Sequence, residues 1–63
     1  MEKKPFDITL LTSKEVADQL KVKEQTLRKW RSNGTGPKFF KTQGMIRYMK
    51  IHVQEWLLAN TKV

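Results

Sequence analysis

The sequence predicts a small α+β domain, mainly helical, with three short helices and a β-hairpin between the second and the third. Three observations carry that expectation. Apolar residues recur at helical spacing in three separate stretches, bounded by helix start and stop signals. The first two of these stretches are joined by Lys21, Val22 and Lys23 alone, which leaves room for nothing but a sharp corner. After Asn33-Gly34 the pattern changes to two extended runs on either side of Gly44, the arrangement of a tight hairpin.

Taken in order, Met1 to Asp7 reads as a loose arm in which Pro5 excludes an earlier helix start. Ile8 to Leu11 is an apolar run expected as a β-segment packed on the core. Thr12-Ser13-Lys14-Glu15 has the reciprocal capping-box spacing and opens a helix from Ser13 to Leu20. Its Val16, Ala17 and Leu20 form one inward stripe. The second helix is expected from Glu24 to Ser32, stopped by Asn33-Gly34, with Leu27 and Trp30 inward and Gln25, Arg28, Lys29 and Ser32 on the opposite face. Thr35-Gly36-Pro37 breaks the chain before strands at Lys38–Lys41 and Met45–Met49. The preferred hairpin loop is Thr42-Gln43-Gly44, with Gly44 supplying a positive φ. That register places Phe40, Ile46 and Tyr48 inward and Phe39, Lys41, Met45 and Arg47 outward. A two-residue loop, Gln43-Gly44, is the alternative and turns Phe39 and Lys41 inward. Ile51 to Asn60 makes the last helix, with Val53, Trp56 and Leu57 closing the core, and residues 61–63 fray. Residues 8–60 thus form one domain, and helix, corner, helix, hairpin, helix is the order of a winged helix-turn-helix.

Sixty-three residues support a thin core, because a chain this short buries only about 60% of its unfolded surface. The absence of cysteine removes disulfides, thiol catalysis and Cys-ligated zinc together. His52 and Glu55 stand at i and i+3, but one histidine without a second ligand pair does not make a metal site. No nucleophile–base pair and no glycine-rich phosphate cradle is present, so neither an enzyme nor a cofactor is expected. No apolar run approaches the roughly 20 residues of a membrane span, and a cytosolic, nucleoid-associated location is expected.

Charge is the feature that speaks to function. Nine of the thirteen Lys and Arg residues fall between Lys21 and Lys50 against one acid, Glu24, giving +8. The other thirty-three residues hold four bases and five acids. The positive charge therefore sits on the second helix and the hairpin, where a phosphate backbone is the natural counterpart.

The blocks L-T-S-K-E-V-A-D-Q-L-K-V-K-E-Q-T-L-R-K-W, G-P-K-F-F-K, I-R-Y and H-V-Q-E-W-L, in that order, resemble the small MerR-like winged-helix domains. Phage and transposon excisionases and AlpA-type prophage regulators belong to that group. The resemblance runs from about Leu10 to Leu58. It implies duplex-DNA binding, with the second helix in the major groove and the wing on the adjacent backbone or minor groove. Thr26 and Arg28 match the recognition-helix pattern T-x-R, Trp30 matches its core tryptophan, and Arg47-Tyr48 matches the R-Y that ends the wing. The chain departs from the pattern at Lys23, where a serine commonly caps the helix, at Lys21, where the corner commonly has glycine, and at His52, where aspartate is common.

The candidate DNA contacts are then Lys23, Gln25, Thr26, Arg28, Lys29 and Arg31 on the helix and Lys38, Lys41, Gln43 and Arg47 on the wing. An outward arginine can give guanine a bidentate pair, and Gln25 can read adenine or meet a phosphate. Lys29, Thr26 and Arg31 suit the backbone. Arg47 has an internal alternative, an ion pair with Glu55 or Asp18. Trp30 and Trp56 are expected in the core rather than as stacking platforms. Phe39 and Met45 are expected half-buried at the hairpin base or against a neighbouring protomer.

The function expected is excisionase-type: binding and bending attachment-site DNA so that a site-specific integrase excises, with further copies of the chain on adjacent sites. The chain reads as almost wholly DNA-binding domain, without a sensing domain or long dimerisation helix. A prophage or plasmid transcriptional regulator is the alternative, and a basic adaptor or inhibitor of an acidic protein or RNA a more distant one.

Overall fold

The computed structural model describes residues 9–61. The arm from Met1 to Asp7, Ile8 and the last two residues lie outside them. Six elements follow one another: β1 Leu10–Leu11, α1 Ser13–Leu20, α2 Glu24–Asn33, β2 Phe40–Thr42, β3 Met45–Met49 and α3 Lys50–Ala59. The fold class is the one expected, a mainly helical winged helix-turn-helix.

α1 begins as its sequence dictates. The Thr12 hydroxyl accepts from the Glu15 amide at 3.1 Å, while the Glu15 carboxylate accepts from the Thr12 amide at 2.8 Å. Two otherwise orphaned amides are thereby satisfied. The helix stops at Lys21, which adopts left-handed φ 60, ψ 41. Its amide reaches the Asp18 carbonyl at 3.3 Å and the Val22 amide reaches that of Ala17 at 3.0 Å, a Schellman closure. α2 closes in the same way: Gly34 is left-handed at φ 75, and the Thr35 amide reaches the Trp30 carbonyl at 2.8 Å. That closure carries α2 one residue past the expected end, through Asn33.

The three strands form one antiparallel sheet in the order β1-β3-β2. Leu10 pairs with Met49 and Leu11 with Tyr48, so the lead-in before α1 is sewn to the wing. Pairing of Phe40 with Arg47, Lys41 with Ile46 and Thr42 with Met45 leaves a two-residue loop, Gln43-Gly44. This overturns the preferred three-residue register. Gln43 has φ 51 and Gly44 φ 78, and two consecutive positive φ values are the mark of a type I′ turn, whose twist matches that of the strands it joins. Phe39 therefore shares a face with Ile46 and Tyr48, while Phe40 shares the opposite face with Arg47 and Met45.

The core contains Leu11, Val16, Ala17, Leu27, Tyr48 and Val53, with Leu20, Val22, Trp30 and Ile46 packed at its margin. Leu27 and Val16 are fully buried, each contributing about 1.5–3 kcal/mol by removal from water. Trp30 lies against Trp56 with ring centroids 5.2 Å apart, which fastens α3 to α2. Gly36 passes directly over the Trp30 side chain: a Cβ there would come within 2.9 Å of two Trp30 atoms. Leu57, expected in the core, is 47% exposed. The α3 face buried here is narrow, reaching Val53 and half-covering Trp56, and it leaves Leu57 and Leu58 in solvent.

Candidate nucleic-acid interface

The second helix presents its basic face because the other face is occupied. With Leu27 buried and Trp30 held on Trp56, residues opposite them must point away from the domain. Gln25, Arg28 and Lys29 are all exposed there, at i, i+3 and i+4, and so are neighbours on one helical surface. No acid of α2 faces them except Glu24, in its first turn. Such a surface offers a forked donor, an amide and an ammonium to the edges and phosphates of a duplex groove.

Lys23 stands at the N-cap of α2, exposed, with no side-chain capping bond. Its carbonyl instead accepts from the amides of Thr26 at 2.9 Å and Leu27 at 3.3 Å. The ammonium is thus free to project from the corner. Thr26 is half-buried, less available than its neighbours. Arg31 is drawn inward rather than left on the flank: its Nη1 donates to the Tyr48 hydroxyl at 2.9 Å and to the Ser13 hydroxyl at 3.3 Å. Sequence reasoning had no signal for this tie, because the partners are 17 and 18 residues away.

On the wing, Lys38, Lys41 and Gln43 are exposed, Gln43 at the very turn. The register separates the two strand bases, which were expected together outside: Lys41 lies on the face of Ile46, Arg47 on the face of Phe40. Arg47 folds onto its own strand, donating to the Ile46 carbonyl at 2.7 Å and to the Met45 sulfur at 3.5 Å, not to Glu55 or Asp18. Lys38 lines a shallow open groove with Gly36, His52, Glu55 and Trp56.

The outer face of the sheet differs from the expected one: Met45 and Arg47 lie on it, but Phe40 takes the place of Phe39 and Lys41 is on the other side. Leu10, Phe40 and Met45 are 51%, 36% and 46% exposed, and the pairing puts them on one side with Met49 and Arg47. The alternation within each strand is legible in the sequence, but its side depends on a register that only the type I′ turn settles.

A corner of three residues between α1 and α2, an exposed basic face on α2 and a paired β-wing before α3 define a winged helix-turn-helix. The chain belongs to the helix-turn-helix domain family, whose model matches residues 10–61. No curated protein and no solved structure matches it. Family membership makes it a DNA-binding domain, with double-stranded DNA as its partner. Among the described residues no helix is long and apolar enough to cross a membrane.

Proposed function

We propose that the protein is an excisionase: it binds attachment-site DNA in adjacent copies, bends it, and promotes excision by a site-specific integrase, itself carrying out no chemistry. The observation that carries this reading is the run of nine bases against one acid from Lys21 to Lys50, which spans the corner, α2, the wing with the Lys38 that leads into it, and the first residue of α3. The resemblance of four sequence blocks to the small MerR-like winged-helix domains, excisionases among them, supports the same assignment.

Magnitudes favour several copies. If about five bases meet phosphates, the log–log salt slope is about −4.5, and affinity falls roughly 500-fold between 50 and 200 mM salt. A module of this size covers about 600–1,000 Å² and reads few base pairs, so a single copy on a single site is weak. Several modules side by side neutralise one face of the duplex and supply the about 1–6 kcal/mol of a moderate bend.

Circular-permutation gel shifts and an in vitro excision assay with the integrase test the proposal. Cooperative occupation of closely spaced repeats, a bend, and a rise of excision over integration are expected. A single protomer on straight DNA, without effect on excision, leaves a transcriptional regulator of a prophage or plasmid as the reading of the same surface. Preference for RNA or a polyanion over duplex DNA would remove both.

A further inference from the structure

We infer that Arg31 is a positioning residue, which through Tyr48 and Ser13 sets the angle between the recognition helix and the wing and so selects the duplex geometry the domain accepts. The inference rests on the DNA-binding reading and concerns a residue that reading alone would place on a phosphate.

Arg31 lies in the last turn of α2, Tyr48 in the inner strand of the wing and Ser13 at the first position of α1. One nitrogen, Nη1, joins all three elements, at 2.9 Å to the Tyr48 hydroxyl and 3.3 Å to that of Ser13. The guanidinium carbon also lies 5.8 Å from the centroid of the Phe39 ring, which itself stands 6.1 Å from the Tyr48 ring. The chain entering the wing is thus held by the same group. Tyr48 is fully buried, so its ring cannot shift to follow a moving arginine.

Neither oxygen bound by Nη1 is anionic, so the tie adds direction without cancelling the positive charge. It also joins the two parts that meet DNA. The recognition helix and the wing bind one duplex together only when the angle between them fits the groove. Fixing that angle beforehand removes an ordering cost from binding. A loose wing would still find phosphates on any sequence, but would lose its advantage on the sequence where both contacts fit.

Tyr48→Phe keeps the ring and removes only the acceptor. Two duplexes serve as probes, one selected from a random pool by the wild-type protein and one of random sequence and equal length. Tyr48→Phe is expected to weaken binding to the selected duplex about tenfold, the scale of one hydrogen bond to a charged group. Binding to the random duplex should change less than about twofold with the salt slope unaltered, since no phosphate contact is removed. A merely stabilising bond would lower both affinities together.

Residual dipolar couplings of α2 and β3 amides in the free protein measure the angle without DNA, and Tyr48→Phe should alter it. Should that variant fail to fold, Arg31→Gln is read on the same quantities. Wild-type affinities and couplings in Tyr48→Phe would overturn the proposal. So would a silent Tyr48→Phe beside an Arg31→Gln that loses both duplexes equally and about one unit of slope, the signature of a direct phosphate contact. Failure of the wild type to select any duplex would instead overturn the DNA reading, while the couplings would still report on the tie.

Discussion

Lys21 holds a left-handed backbone, φ 60 and ψ 41, at the corner between α1 and α2. A residue with a Cβ pays about 1–2 kcal/mol in that region, and glycine does not. The corner nevertheless forms, because both closing hydrogen bonds of the Schellman turn and the seating of Val22 at the core margin demand it. Lys21→Gly should therefore stabilise the domain by about 1 kcal/mol, read as a higher urea midpoint at unchanged m. At Lys23 stability and binding oppose one another. Lys23→Ser would give α2 the side-chain cap it lacks, worth about 0.5–2 kcal/mol, and would remove a base from the corner. A raised melting temperature with a salt slope smaller by about one is the expected pair of changes.

At the scale of elements, the proposed function divides the work of binding between α2 and the wing. α2 carries a forked donor and an amide on an exposed helical face, suited to base edges. Arg28→Ala should weaken binding to the preferred sequence by about 1–3 kcal/mol, with circular dichroism and melting unchanged. The wing carries Lys41 and Gln43 near its turn, where contact with the backbone is sequence-blind. Lys41→Ala should weaken all duplexes alike and lower the salt slope by about one. A titration series on two duplexes at four salt concentrations separates the two behaviours. Arg47 differs from Lys41, since its guanidinium is engaged by Ile46 and Met45 on the other face of the hairpin.

For the molecule as a whole, a cluster of six buried hydrophobic residues with four partly buried ones around it holds the described chain together. Contacts between distant segments close it, β1 on β3 and Trp30 on Trp56 among them. The tryptophan pair is half-buried and joins α3 to α2. Trp30→Ala should cost about 3 kcal/mol, the low end for a buried tryptophan, which a domain this small cannot absorb without visible loss of folded protein. Differential scanning calorimetry gives the shift. A normal melt with lost DNA binding would turn Trp30 from a packing residue into a contact.

Local chemistry was legible from the sequence wherever neighbours in the chain decide the structure. The capping box of Thr12 and Glu15, the stop at Gly34, the Leu27–Trp30 stripe and the opposing Gln25, Arg28 and Lys29 all depend on groups within five residues of one another. Helical period and orphaned amides settle such features before any tertiary contact forms. The hairpin was legible as a hairpin, but its register was not. Moving the loop by one residue exchanges Phe39 for Phe40 and separates Lys41 from Arg47, and the choice falls to the type I′ turn at Gln43-Gly44, whose twist matches that of the sheet. The same holds for Leu57, whose helical spacing fits the core but which the described residues leave 47% exposed. It holds most of all for Arg31, a basic residue on a basic helix until Tyr48 and Ser13, 17 and 18 positions away, are brought to its guanidinium. Spacing along a chain determines which face a side chain occupies. Only the folded packing determines what stands opposite that face.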